Sequence, residues 1–258
     1  MTTTSTAAPL LRSLCELSAQ AATGALSNDR GTLYLVAGRI GHAESPLAPG
    51  LKALLTGSGA VDPVGWQEAV EESGVQRRVG RRLVDSGRLS AGALELCHLG
   101  VLFDAAYFAL SSDSRPPRFR PGAAHWLGAV RPVAVDLVIR ESRRRHDRLQ
   151  CIWPEPDIDR VPLTRVPDAP CVTLPARRSR ALAEVDGVRT AAQIAAALAW
   201  RTYPTLVELR RLAAAGLVTT APPPARRPGA HVSGPAVAAC DEPDIALLLR
   251  LRDALEAL

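Results

Sequence analysis

Gly31-Thr32-Leu33-Tyr34-Leu35-Val36-Ala37-Gly38-Arg39-Ile40-Gly41-His42-Ala43-Glu44 holds two short apolar runs around a glycine-bearing turn. Runs of this length, broken by a Gly-containing turn, predict a β-hairpin with strands over 31–36 and 40–44. Upstream, Leu10, Leu14, Leu17 and Ala21 recur at spacings of three and four, so residues 9–26 read as a helix with one apolar face. Ser27-Asn28-Asp29 is a polar turn between helix and hairpin. A hairpin set among helices implies an α+β fold.

Downstream, a helix over about 50–56 stops at Gly57-Ser58-Gly59. Asp62-Pro63 is an N-cap and first-turn pair, opening a helix that turns Trp66, Val70 and Val75 inward. Gly87 stops the next helix and Ser90 caps another that runs to about Leu110. After a loop over 111–117, Arg118 to Gly122 reads as a short strand, and residues 133–150 as a long helix with a basic end, Arg140 to Arg148. Within that run Glu141 is spaced to pair with Arg144 or Arg145. Residues 153–170 are rich in Pro and Asp and read as an interdomain linker. Beyond it come a strand at 171–174, a helix at 175–185, a helix at 191–200 capped by Thr190, a helix at 205–215 stopped by Gly216, and a strand at 217–220. The segment 221–239 is rich in Pro and Gly, and 241–258 reads as an amphipathic helix with Leu248, Leu251, Leu255 and Leu258 on one seam. That seam is the candidate surface for a partner protein or for a second copy in a homodimer.

Composition narrows the classes. With 258 residues, 47% of them hydrophobic and 22% charged, the chain has the apolar content for a sizeable core and is not a disordered polymer. Of 31 basic residues only Lys52 is a lysine, a bias that fits a high-GC genome; the net charge is +5 and spreads along the chain. No apolar run is read as approaching the ~20 residues of a membrane span, and the Thr-rich start lacks the features of a signal peptide, so no membrane partner and a cytoplasmic location are expected. The five cysteines and five histidines lie at wide spacings without a CxxC pair. They are expected to be small buried thiols and unconnected imidazoles, with no metal site and no cofactor. His125-Trp126 reads as a surface histidine beside a packed tryptophan, and Asp157 with Asp159 as a solvated pair in the linker.

Two stretches resemble known families. Gly31-x-Leu33-x-Leu35-x-x-Gly38-x-Ile40-x-x-Ala43, followed by Gly50-x-x-Ala53-Leu54, resembles the PATAN-type domain of bacterial signalling proteins. Arg118-Phe119-Arg120-Pro121-Gly122 is similar to that family's later Phe-containing strand, and Asp136 to Arg145 to the helix after it. The resemblance implies a protein-interaction domain without catalysis over residues 1–152, with a helical insertion at about 61–110. Within the insertion, Gly80 to Ser90 is weakly similar to a helical segment at the start of secretion ATPases, which implies a small adaptor motif and nothing about ATP.

Residues 171–235 resemble a winged-helix domain, with Leu206-x-x-Leu209-x-x-Leu212-x-x-x-Gly216-Leu217-Val218 as its third helix and first wing strand. In a DNA-binding version of that fold the third helix enters the major groove. The resemblance then implies Thr205, Glu208 and Arg211 as exposed readers, Arg201 and Arg210 as phosphate contacts, a second wing strand near 231–233, and Arg226 and Arg227 at the wing tip. The helix is only mildly basic, and the same topology serves protein contact, so both readings stand.

Searches for catalytic patterns return nothing: no GxxxxGK[ST], no GxSxG and no HExxH. The expectation is a non-catalytic bacterial regulatory protein, a transcriptional regulator joining a protein-interaction domain to a winged helix on double-stranded DNA. The rival is a signalling or scaffold adaptor in which the winged helix binds protein.

Overall fold

The hairpin forms where expected, as β2 (Thr32–Val36) and β3 (Arg39–Glu44). Gly38 sits in its turn at φ +75°, where an added Cβ would stand 2.5 Å from the Ser18 carbonyl oxygen. Pairing runs Tyr34 to His42 and then Leu35 to Ile40, which leaves Gly41 as the extra residue of a bulge. The computed structural model describes residues 8–111, 116–167, 169 and 172–220. The chain divides into two units, Met1–Ala221 and Pro222–Leu258. The second unit lies outside the described residues, and with it the second wing strand, Arg226, Arg227 and the Leu248, Leu251, Leu255 and Leu258 seam.

The protein is α+β, with two small antiparallel sheets among nine described α-helices. The larger sheet has the order β3-β2-β1-β4, with β1 at Gly24–Ser27 and β4 at Arg118–Pro121. β1 corrects the helix expected over 9–26. Helix α1 (Ala8–Ala19) ends early, and Ala21 takes a left-handed conformation at φ 49°. Ala25 and Leu26 are then buried between β2 and β4. Long-range pairing here overrides the helical preference of an alanine-rich segment. Gly24 permits the close approach, because a Cβ there would lie 2.5 Å from the Arg120 carbonyl oxygen and 2.6 Å from the Phe119 ring. Gly24→Ala is expected to destabilise the protein by about 1–3 kcal/mol. An unchanged urea midpoint would show that β4 yields without loss.

Helices α2 (Leu51–Gly57), α3 (Pro63–Ser73) and α4 (Val79–Asp85) form a cluster around Trp66, Leu55 and Leu83. Asp62 caps α3 by accepting from the Gly65 N–H at 2.7 Å, and Ser90 caps α5 (Ala91–Leu110) by accepting from the Ala93 N–H at 3.2 Å. Trp66 is buried, but Val75 is 97% exposed, because α3 ends before it and the chain leaves the core.

Helix α5 joins three clusters. Leu94 and Val101 pack with α2–α4, Leu102, Ala105 and Ala106 under the large sheet, and Tyr107 and Phe108 against the C-terminal elements. The helix is therefore the centre of the fold and not part of an insertion. It also corrects the expectation that no run approaches membrane-spanning length, since its 20 residues are long and apolar enough by composition. A helix apolar on all sides is one that is covered on all sides.

Helix α6 (Val135–Ile152) continues into the stretch expected to be a linker, and that expectation is corrected too. Pro156–Asp159 is a 3-10 turn with Ile158 buried, and Leu163–Arg165 is a strand, β5, with Leu163 fully buried. The prolines sit at positions they tolerate, at the start of the turn and just before the strand. β5 pairs antiparallel with β6 (Val218–Thr220), whereas Val172 to Leu174 form no strand. Three helices lie between these strands: α7 (Ala176–Ala183), α8 (Ala191–Ala197) and α9 (Thr202–Ala214). Thr190 starts α8 with a reciprocal capping box to Gln193.

The two halves are joined by buried polar bonds. Asp104 on α5 accepts from the Thr202 N–H at 2.7 Å and the Tyr203 N–H at 2.9 Å, at the first turn of α9. Thr202 Oγ1 donates to the Leu47 carbonyl at 2.7 Å. The Arg145 guanidinium lies 3.7 Å from Asp104 and 4.6 Å over the Tyr203 ring. Burial pushes the Asp104 carboxyl above its ordinary range, against the pull of the Tyr203 N–H and Arg145. Cys15 and Cys151 are exposed, in contrast to the buried thiols expected.

Candidate functional site

Helix α9 was the expected reader, and its polar groups turn inward. Thr205 is fully buried, with its hydroxyl donating to the Arg201 carbonyl at 2.9 Å. Arg210 is 1% exposed; its Nε and a terminal nitrogen form a two-pronged pair with Asp159 at 2.9 and 2.6 Å, and its other terminal nitrogen donates to the Trp153 carbonyl. Glu208 is largely covered and accepts from Arg178 at 3.0 Å and from Arg211 at 2.8 Å. Arg201 precedes the helix, with its side chain over Gly100. Arg211 keeps 38% of its side chain exposed.

So Thr205 and Glu208 are not exposed readers, and Arg210 cannot reach a phosphate. Asp159, expected to be solvated, is the counter-charge of Arg210. The leucines at 206, 209 and 212 marked only one face of α9. Tyr203, Val207 and Ala213 are also buried and close the others. The signal was present in the sequence, because a helix with apolar residues on several faces is surrounded.

The basic end of α6 behaves partly as expected. Glu141 pairs with both Arg144 and Arg145, and Asp136 with Arg140. Arg145 alone points into the core, between the Phe103 and Tyr203 rings.

A second cluster was not expected. The sheet face opposite the α5 core carries Tyr34 on β2 with His42 and Glu44 on β3. His98 of α5 donates from Nε2 to the Gly41 carbonyl at the bulge, 3.0 Å away. His125, on the loop after β4, stacks on His42 with ring centroids 3.8 Å apart and an angle of 25°. His98 stacks on the other side of His42, at 5.3 Å.

Glu44 holds the edge of this stack. It accepts from Tyr34 Oη at 2.9 Å and from His125 Nε2 at 3.0 Å. The Leu127 N–H donates to His125 Nδ1 at 3.2 Å, which places that ring's hydrogen on Nε2. Nδ1 of His42 and Nδ1 of His98 are buried and have no hydrogen-bond partner among the described residues. Burial, with the neighbouring His125 and His98, lowers the His42 pKa to about 2, and burial lowers that of His98 to about 4. Both rings are therefore neutral at pH 7 and keep a free lone pair. The His125 hydrogen bond holds the Glu44 carboxyl below its ordinary range, and burial, helped by Glu44, raises Tyr34 to about 12.

One ligand atom from each of His42, Glu44 and His125 lies within 4.8 Å of the others. A cavity of about 180 Å³ opens beside them, lined by Tyr34, Val36, His42, Arg77, His125 and Gly128. His125 is buried and Trp126 is the more exposed of the two, the reverse of the expectation. Sequence spacing hid the cluster, since its residues are brought together from β3, α5 and a loop. The only local hint was His42 and Glu44 at i and i+2, which share a strand face. Compared with known proteins, the chain matches no family model, no curated protein and no solved structure.

Proposed function

We propose that the protein is a non-catalytic regulatory adaptor that works through protein contacts and not by reading DNA. The observation that carries this reading is the state of α9, whose Thr205, Glu208 and Arg210 are committed to bonds inside the fold. A groove-reading helix needs a row of unpaired polar side chains facing out. The PATAN-like character of the hairpin half and the winged-helix-like character of the half built on β5, α7–α9 and β6 belong to the same proposal. Both suit a scaffold with two joined interaction surfaces.

A gel-shift of the full chain against genomic DNA fragments tests this. At ~50 mM salt, where phosphate contacts are strong, no shift is expected. A salt-sensitive shift that weakens in Arg201→Ala and Arg211→Ala would overturn the adaptor reading in favour of a transcriptional regulator. Arg210→Ala is unsuitable for that purpose because it acts on folding.

A further inference from the structure

We propose that His42, Glu44 and His125 form a binding site for one divalent transition-metal ion of the zinc class, with Tyr34 orienting the carboxylate. Two imidazoles and one carboxylate are a donor set for borderline ions such as Zn²⁺, and a poor one for Mg²⁺ or Ca²⁺, which take oxygen ligands. The three ligand atoms already converge within 4.8 Å. Ligand bonds of about 2.0–2.2 Å around a tetrahedral ion need spacings of roughly 3.4 Å, so closure takes about an ångström of side-chain adjustment.

An independent observation points the same way. His42 is 3% exposed and its Nδ1 has no hydrogen-bond partner among the described residues. A buried polar atom without a partner calls for an explanation, and a missing ion is one. Tyr34 already bonds the carboxylate oxygen that His125 does not use, the outer support that metal-binding carboxylates normally have. The Glu44 side chain is 46% exposed and gives an ion a way in from solvent, and the adjoining cavity has room for a water as the fourth ligand.

Binding has a defined proton balance. The ion replaces the hydrogen that His125 now shares with Glu44, and the neutral ring then carries its hydrogen on Nδ1. The ring must turn from the Leu127 N–H, which rotation about its side-chain bonds allows. The result ties the β2–β3 hairpin to the loop after β4, two segments distant in sequence.

The test uses full-length protein without an affinity tag, titrated with Zn²⁺ by calorimetry, with Mg²⁺ as the comparison. One equivalent of Zn²⁺ is expected to bind with a rise in melting temperature, and Mg²⁺ is expected to leave both unchanged. Glu44→Gln keeps the shape of the side chain at a half-exposed position, so it should fold, and it is expected to weaken Zn²⁺ binding at least tenfold. His125→Ala is expected to abolish it. Co²⁺ in place of Zn²⁺ should give visible absorption without a thiolate charge-transfer band. Absence of Zn²⁺ binding, unchanged affinity in Glu44→Gln, or a thiolate band showing that the exposed cysteines hold the ion would each overturn the proposal.

Discussion

Asp104→Ala is expected to lower the stability of the protein by about 3–5 kcal/mol. The carboxylate does two things that alanine cannot. It satisfies the Thr202 and Tyr203 N–H groups at the start of α9, which have no partner within the helix. Leaving such buried donors unbonded costs about 1–3 kcal/mol. It also faces Arg145, whose side chain is only 10% exposed and whose remaining acidic partner is Glu141 at 2.9 Å. Truncation would leave a buried cation half paired. Asp104→Asn keeps one acceptor oxygen and the shape, so its loss should be smaller than that of Asp104→Ala. Urea denaturation of the three proteins checks the order. A loss under about 1 kcal/mol for Asp104→Ala would mean that apolar packing alone holds α9 to α5.

Arg210→Ala is expected to cost about 2–4 kcal/mol, while Arg211→Ala one position on should cost under about 0.5 kcal/mol. The contrast follows from burial. Arg210 ties α9 to the turn at Pro156–Asp159 through Asp159 and to the end of α6 through the Trp153 carbonyl. Removing it strands a carboxylate whose side chain is only 16% exposed. Arg211 has one exposed partner interaction, with Glu208, of the kind that contributes little. Arg210→Lys retains the charge but cannot form the two-pronged pair, so it should fall between the two. Equal effects of Arg210→Ala and Arg211→Ala in a denaturant titration would refute the assigned burial. The same contrast bears on function, since a phosphate contact would be lost in both variants without a change in folding.

The linker shows how composition misled. Proline and aspartate density over 153–170 suggested a solvated spacer, yet Ile158 and Leu163 anchor the segment in the C-terminal core. Isolated apolar residues among prolines carry no periodicity, so their burial was not visible. The first strand of the smaller sheet was therefore sought at 171–174 instead of at Leu163–Arg165. Helix α9 failed for a different reason. Its leucine face was read correctly, but the remaining faces were taken as solvent-exposed by default, and neighbouring elements cover them.

The features readable from the sequence by itself are local ones. They include the hairpin with Gly38 in its turn, the caps at Asp62, Ser90 and Thr190, and the pairing of Glu141 with its arginines three and four positions on. Each depends on residues a few positions apart, whose separation is set by the backbone alone. Only the tertiary structure decided that β1 is a strand, that Arg210 faces Asp159, that Asp104 caps α9, and that His42, His98 and His125 stack. These depend on which surfaces meet across the fold. That outcome comes from the burial of the whole chain's apolar area and from the partners each polar group finds once buried, and no spacing along the chain encodes it.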